Sequence, residues 1–391
     1  MRPSLTQLLD DFNAGTMSRR QLLQTLAAAV AIPAVGLAQG GGGAAADTAR
    51  GGRGGRGGRG GRGGAAARDT TPLVMPFEPT GWTTVWLDHL NYQCVDYEKA
   101  AAFYSTLMGW KVRSDNGKQA VLDIGDNSGG IILRGGLAAP APAAITDEGL
   151  GVNRPHIQAV YDGFAWGISP WDTNKVQAEL EKRGLNPVAD HMGSDYRSFR
   201  VKDPDGFDVA VTNGTRALRR KTAANGKLSA PAPFEPTGWN TLYLDHISFE
   251  VPDYRRSAAF YQALLGWDIR PGGGGQVNVQ IGTIAGAIIR GNAAARKAAA
   301  ARGRGDAGAA PVPVPTRAPG EVTAVIGHIS FGIENWDTER VRAELKKRDV
   351  VYVTPDGQHE PRPDMSSTLL SYHVPDAMGW DLQIGNKIAP G

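Results

Sequence analysis

Apolar and polar residues alternate along residues 244–251, which read LDHISFEV, and again along 327–334, which read GHISFGIE. A period of two is typical of a strand that buries one face. On each strand, alternate residues share one face, and in both strands that face carries a histidine. In the first strand the face holds Leu244, His246, Ser248 and Glu250, and in the second it holds His328, Ser330 and Glu334. The other faces carry Ile, Phe and Val, which are expected to pack under a helix.

The pattern changes to a helical one after the first of these strands. Asp253 is a suitable N-cap for a helix over 254–265, whose apolar positions include Ala258, Phe260 and Leu264, and Gly266 ends it. Short β-type runs follow, VNVQIG at 277–282 and GAIIRG at 286–291. The predicted order is therefore a strand, a helix, and then two or three strands.

The same arrangement occurs twice along the chain, because the sequence is internally duplicated. Residues 77–110 recur as 234–267 with an offset of 157, and 166–184 recur as 331–349 with an offset of 165. Each copy is a unit of roughly 140 residues holding two similar modules. The predicted organisation is a signal peptide (1–38), a disordered RGG-rich linker (39–76), an N-terminal domain (77–214), a linker (215–233) and a C-terminal domain (234–391).

The N-terminal region looks like an address for export. An Arg19–Arg20 pair precedes a weakly apolar run of about 17 residues, too short and polar to span a membrane but suited to a signal peptide. SRRQLL (18–23) resembles the twin-arginine export motif. This resemblance implies the twin-arginine export machinery as a partner, a periplasmic or secreted protein, and no membrane anchor after processing. The alternative is an amphipathic N-terminal helix in a cytoplasmic protein.

Charge is distributed unevenly between this region and the rest. The chain of 391 residues has a net charge of +3, yet residues 1–68 hold nine Arg against three Asp, which leaves −3 for residues 69–391. A mildly acidic body does not favour a nucleic-acid-binding protein. The RGG tract (50–64) is read as a flexible linker rather than an RNA-binding segment. Cys94 is the only cysteine, so an intramolecular disulfide is excluded.

The helix-bearing stretch DHISFEVPDYRRSAAFYQALLGW (245–267) and the run VKDPDGFDVAVTN (201–213) resemble the vicinal oxygen chelate superfamily, which includes glyoxalase I, bleomycin-resistance proteins and type I extradiol dioxygenases. The resemblance covers about residues 80–386. It implies an α+β fold of four βαβββ modules, paired into two half-open barrel domains around a small-molecule substrate. Exposed edges of such barrels would permit homo-oligomers.

The resemblance also implies a metal centre in the C-terminal unit. A pseudo-twofold relation between modules would bring His246 and His328 together, and Gln383 stands where the family commonly has a third, acidic ligand. The expected cofactor is a divalent metal, Fe(II), Mn(II) or Zn(II). Glu250, Tyr372 and His373 are the catalytic candidates. A histidine on a strand is, by itself, more often a hydrogen-bonded core residue than a ligand.

The N-terminal unit keeps only part of this set. His89 matches His246, but Gly163 stands in the place of His328 and Ala210 in the place of Gln383. This unit is expected to be structural or to form a polar pocket.

Three functions remain open on this sequence. The favoured one is a metal-dependent enzyme acting on vicinal oxygens, most specifically a ring-cleaving dioxygenase. The second is a metal-dependent lyase or isomerase of the glyoxalase type. The third is a non-catalytic binder that sequesters a small aromatic compound, as bleomycin-resistance proteins do.

Overall fold

The computed structural model describes residues 71–126, 128–138, 155–193, 195–273, 275–292, 322–366 and 369–388. The predicted signal peptide and most of the predicted RGG linker lie outside these ranges. Among the described residues, none of the helices has the length and hydrophobicity needed to cross a membrane.

The N-terminal unit is built on one mixed sheet of eight strands, in the order β2-β3-β4-β1-β5-β8-β7-β6. Its strands are β1 (Thr83–Cys94), β2 (Lys111–Asp115), β3 (Gln119–Asp123), β4 (Gly130–Arg134), β5 (Ala159–Ser169), β6 (Val188–Met192), β7 (Arg197–Lys202) and β8 (Asp208–Thr212). Helix α1 (Tyr97–Met108) follows β1 and helix α2 (Thr173–Lys182) follows β5. A short helix, α3 (Arg216–Arg219), begins the connection to the second unit.

The C-terminal unit repeats this plan with the sheet order β10-β11-β12-β9-β13-β18-β17-β16. Its strands are β9 (Thr241–Val251), β10 (Asp268–Pro271), β11 (Gln276–Ile281), β12 (Ala285–Gly291), β13 (Val325–Ile333), β16 (Arg362–Met365), β17 (Leu370–Pro375) and β18 (Asp381–Gly385). The strands β14 (Tyr352–Val353) and β15 (His359–Glu360) form a separate hairpin. Helices α4 (Tyr254–Leu265) and α5 (Thr338–Lys347) follow β9 and β13.

The predicted α+β fold of four βαβββ modules is confirmed. Within each sheet the first strands of two modules pair antiparallel at the centre, β1 with β5 and β9 with β13. Each of these strands also pairs in parallel with the last strand of its own module. The result is an open barrel whose concave face is lined by all eight strands.

The residues predicted to begin and end helix α4 do so in the structure. Asp253 accepts hydrogen bonds from the backbone N–H groups of Arg255 and Arg256 at 3.0 and 3.2 Å, and so caps α4. Gly266 ends the helix with φ of 67°. A Cβ there would lie 2.2 Å from the carbonyl oxygen of Trp82 in the other unit, so glycine is needed for close packing as well as for the turn.

The predicted strict alternation of β9 is wrong at Leu244. Ser330 pairs with His246 but the next residue, Phe331, pairs with Leu244, so Asp245 is an extra residue in a β-bulge. The bulge moves Leu244 to the apolar face, where it is fully buried in the core with Phe331. His246, Ser248, His328 and Ser330 remain together on the concave face, because they pair directly as His246 with Ser330 and Ser248 with His328.

The two units exchange contacts reciprocally. The indole N–H of Trp110 donates to Thr241 at 2.9 Å, and that of Trp267 donates to Thr84 at 3.1 Å. The hydroxyl of Tyr261 donates to Asp203 at 2.7 Å, while Tyr92 and Tyr104 donate to Asp376 at 2.6 and 2.8 Å. These groups are buried, so each unit completes the polar interior of the other.

Candidate metal centre

The histidines of β9 and β13 meet at the centre of the C-terminal sheet. The Nε2 atoms of His246 and His328 are 2.9 Å apart, and the two rings are nearly perpendicular, with an interplanar angle of 81°. The antiparallel pairing of β9 and β13 sets this geometry, since the histidines occupy diagonal positions on one face. The sequence prediction that these two residues converge is therefore consistent with their placement.

Asp245 fixes the orientation of His246. The bulge allows the Asp245 carboxylate to accept a hydrogen bond from Nδ1 of the neighbouring imidazole at 2.7 Å, and Lys387 contacts the other oxygen at 3.0 Å. Burial raises the pKa of Asp245, but the hydrogen bond with His246 and the nearby charges of His246 and Lys387 outweigh it and lower the pKa overall. With Nδ1 donating to a carboxylate, the Nε2 lone pair of His246 faces the concave side.

His328 is held neutral by its surroundings. Desolvation in the barrel lowers the pKa of His328 well below its ordinary value, and the charges of His373 and His246 lower it further. A neutral imidazole keeps a lone pair available for a metal ion at neutral pH.

A third histidine stands beside this pair. His373 on β17 is buried, and its ring centroid is 4.9 Å from that of His328. Its Nδ1 lies 3.0 Å from both carboxylate oxygens of Asp381, which also accepts a hydrogen bond from Tyr352 at 3.0 Å. The potential ligand atoms of His328, His373 and Asp381 all lie within 4.8 Å of one another.

Gln383 lies on the same concave face, directly opposite His373 and alongside Ser330. Its side-chain amide donates to Ser371 at 2.8 Å, while its Oε1 is buried with no hydrogen-bond partner. The hydroxyls of Ser248 and Ser330 are likewise buried without partners. A buried oxygen without a hydrogen-bond partner is costly. Three such oxygens beside converging imidazoles therefore fit a face that receives an ion, whose bound water or substrate oxygens would supply the missing partners.

The remaining predicted residues are placed less favourably. Tyr372 alternates with His373 along β17, so its ring projects from the opposite face and stacks on Trp336 at 6.1 Å. This position separates Tyr372 from the histidines and does not support the catalytic role predicted for it. Glu250 shares the face of His246 but lies at the far end of β9, where it pairs with Val325 and Arg290. Its role as a base stays a prediction. Glu334 lies beyond the end of β13 and is exposed.

The N-terminal unit has the same framework without the ligands. His89 is held by Asp88 at 2.7 Å, as His246 is by Asp245. The register places Gly163 where His328 stands, Ala210 where Gln383 stands, and Arg200 where His373 stands. A single imidazole and a permanent cation do not form a cation site.

Linker residues also approach the cavity beside His89. The cavity has a volume of about 390 Å³, and its lining includes Tyr196 and Arg219. Arg219 reaches in from α3 to bind Asp123, and its guanidinium contacts the backbone carbonyl of Asp88 at 3.4 Å. The N-terminal unit therefore has a pocket beside His89 that is partly filled by its own chain.

Two features of the C-terminal centre escaped sequence reasoning. In a strict alternation Asp245 falls on the face of Ile247 and Phe249, and a bulge leaves no clear mark on such a pattern. Asp381 shares a face with Gln383, which is visible in the sequence, but its contact with His373 depends on the pairing of β17 with β18. That pairing is set by the turn at 376–379, whose Asp376 caps the backbone N–H groups of Met378 and Trp380.

Comparison with known proteins agrees with this fold. The family model described as "Glyoxalase/Bleomycin resistance protein/Dioxygenase superfamily" matches residues 86–211. A search of curated proteins gives no match.

Among solved structures, the Mn(II)-bound glyoxalase from Novosphingobium aromaticivorans is similar at 14% identity and a TM-score of 0.48, over 78% of this chain and 82% of that one. The homoprotocatechuate 2,3-dioxygenase from Arthrobacter globiformis is similar at 15% identity and 0.47, over 81% and 83%. A catechol 2,3-dioxygenase is similar at 13% identity and 0.48, over 78% and 88%. The N-terminal unit is thus similar to the glyoxalase/bleomycin resistance protein/dioxygenase superfamily, and the C-terminal unit repeats the strand order of the matched unit.

Proposed function

We propose that the C-terminal unit is a divalent-metal-dependent enzyme that acts on a small substrate with vicinal oxygens, and that its reaction is ring cleavage by dioxygen. The observation that carries this proposal is the His246–His328 pair, whose Nε2 atoms converge to 2.9 Å on the concave face. The contrast with the N-terminal unit supports it, because duplication alone does not account for a histidine at 328 and a glycine at 163. The family also includes dioxygenases.

In this proposal His246 and His328 hold the ion. When bound, a divalent ion supplies Lewis acidity toward the two substrate oxygens and, as Fe(II), redox chemistry with dioxygen. Asp245 keeps the proton of His246 on Nδ1, so that the lone pair of Nε2 remains available to coordinate the ion. Because burial lowers the pKa of His328, its imidazole is neutral at neutral pH, and it does not have to lose a proton before it coordinates an ion.

Oxygen uptake tests the reaction. Protein loaded with Fe(II) under anaerobic conditions and then exposed to air with catechol should consume dioxygen and form a ring-cleaved product with a new visible absorbance. His328→Ala should abolish this uptake, and His89→Ala, its matched control in the N-terminal unit, should retain it. Metal-loaded protein that consumes no dioxygen with any of a panel of catechols would contradict the dioxygenase assignment.

Gln383 favours a second candidate function. Position 383 carries an amide and no acid, and a metal that only polarises oxygens, as in a lyase or isomerase of the glyoxalase type, needs no carboxylate to tune its redox potential. Conversion of a hemithioacetal by the Zn(II)- or Mn(II)-loaded protein, with no oxygen uptake by the Fe(II) form, would favour this reading. Tight binding of an aromatic compound by metal-free protein, with no turnover, would instead indicate a sequestering protein.

Export is a further part of the proposal and rests on the sequence alone. The Arg19–Arg20 pair would direct the folded protein to the twin-arginine machinery. Replacing both arginines with lysine should leave the full-length precursor inside the cell, where fractionation and immunoblotting detect it. Processing and release that are unchanged in this variant would remove the export assignment.

A further inference from the structure

Three histidines, and not two, present themselves on the concave face of the C-terminal sheet. His246 and His373 share one feature that is common in metal-ligating histidines: the Nδ1 of each lies at hydrogen-bond distance from a buried carboxylate, Asp245 at 2.7 Å and Asp381 at 3.0 Å. Such a contact fixes the tautomer and leaves the Nε2 lone pair for an ion. His328 lies between them, with its Nε2 at 2.9 Å from that of His246 and its ring at 4.9 Å from that of His373.

The strand register indicates whether His373 or Gln383 is better placed to be the third ligand. Ile329 pairs with Leu382, which puts Asp381 alongside His328, and His373 leans toward that level to reach Asp381. Gln383 leans the other way, since its amide donates to Ser371, which pairs with Gly385 farther along β18. The side chain of His373 is therefore directed toward His328 and that of Gln383 away from it.

Asp381 is occupied as an orienting group. Its carboxylate contacts His373 through both oxygens, accepts a hydrogen bond from Tyr352, and has the guanidinium of Arg362 at 3.9 Å. On the other side of His373, Nε2 lies 3.9 Å from a carboxylate oxygen of Asp364. Because 3.9 Å is too long for a hydrogen bond, Nε2 of His373 keeps its lone pair available for an ion, while Nδ1 is held by Asp381.

We propose that the third protein ligand of the metal centre is His373, positioned by Asp381, and that Gln383 does not coordinate the ion. This inference rests on the metal centre of the proposed function. Three neutral imidazoles leave the full charge of a divalent ion to be balanced by other groups. The centre would accordingly select substrates that bind as dianions through two vicinal oxygens, and nitrogen-preferring ions such as Zn(II), Fe(II) or Co(II) over Mg(II).

Metal affinity of the chelator-stripped full chain tests the ligand set without any need for turnover. Co(II) binding by titration calorimetry should weaken by at least about 100-fold in His373→Ala, and by about 10- to 100-fold in Asp381→Asn, because the orienting carboxylate is lost. Gln383→Ala should stay within about twofold of wild type. His359→Ala, at an exposed histidine paired with Asp349, is the matched control and should leave the affinity unchanged. Affinity that falls in Gln383→Ala and stays at the wild-type level in His373→Ala would overturn the proposal.

A second measurement avoids the risk that His373→Ala fails to fold with Asp381 left unpaired. In the Co(II)-substituted wild-type protein, paramagnetic NMR should show three strongly shifted, exchangeable imidazole N–H signals, one from each ligating histidine. Two such signals would overturn the assignment of His373.

The outcomes also separate this inference from the proposed function. Wild-type protein that binds no divalent ion contradicts both. Three shifted signals without oxygen uptake leave the ligand set standing and remove the dioxygenase reaction.

Discussion

Single residues distinguish the two duplicated units at the candidate metal centre. Both units keep an Asp–His pair with the same Nδ1–carboxylate distance of 2.7 Å. They differ at one position on the neighbouring central strand, which is Gly163 in the N-terminal unit and His328 in the C-terminal unit. Sequence comparison between the repeats was enough to find this difference, because both positions follow from one alignment. It could not show that position 163 has also lost the space for a side chain.

Restoring the missing histidine should fail for that reason. A Cβ built at Gly163 would lie 2.4 Å from the backbone oxygen of Asp208, closer than real contacts allow. Gly163→His should therefore create no second metal site and should lower the free energy of unfolding by about 1–3 kcal/mol through overpacking. Metal content and urea denaturation check both parts. A variant that binds two ions per chain would contradict this account.

The stability of the contact between the units should depend on the protonation of a single carboxyl group. Burial raises the pKa of Asp203 to about 7, and the neighbouring Asp205 adds to this effect. The folded protein thus keeps a proton on Asp203 that the unfolded chain releases at about pH 4. The stabilisation that comes from binding this proton is complete below about pH 4 and is lost as the pH rises through about 7.

Asp203→Asn should remove this part of the pH dependence. Its free energy of unfolding, relative to wild type, should rise between about pH 4 and pH 7, since the variant never has to bury a charge. Denaturant melts across this range give the comparison, and the exposed Asp195→Asn serves as control. A wild-type-minus-variant difference that is flat with pH would show that Asp203 does not titrate in this window.

At the scale of helices and strands, local signals predicted most of what is observed. The N-cap, the bounds of α4 and the terminal glycine follow from a few neighbouring residues. The bulge at Asp245 and the contact between His373 and Asp381 do not, because each depends on how one strand pairs with another. The face on which Leu244 lies is decided by Phe331, which is 87 residues away in the sequence.

Removing the cap of α4 tests the local part of this account. Asp253→Ala removes the acceptor for the N–H groups of Arg255 and Arg256 and should lower the free energy of unfolding by about 1 kcal/mol. Asp253→Asn retains an acceptor oxygen and should lose much less. Chemical denaturation followed by circular dichroism measures both. Equal losses in the two variants would mean that charge, and not capping, matters at this position.

At the scale of the whole molecule, the two units depend on each other. Each supplies a tryptophan and at least one tyrosine that satisfy polar groups buried in the other. Separated units would expose these groups and the apolar surface around them, which includes the stacked rings of Tyr104 with Trp110 and of Tyr261 with Trp267. The N-terminal unit therefore contributes to the candidate metal centre indirectly, by stabilising the unit that carries it.

Residues 71–388 should consequently unfold in a single cooperative transition. Calorimetry is expected to give one peak whose van't Hoff and calorimetric enthalpies agree. Thr84→Val and Thr241→Val, which remove the acceptors of the two tryptophans, should shift that peak to lower temperature without splitting it. Two resolved peaks in the wild-type protein would indicate units that fold independently.

The central claim, that the C-terminal barrel is a metal centre and the N-terminal barrel is not, is tested most directly by metal content. Elemental analysis of purified protein dialysed against a single divalent metal should give one ion per chain in the wild type and in His89→Ala. The double variant His246→Ala with His328→Ala should contain none. Wild-type protein without bound metal, or a double variant with undiminished content, would contradict the account.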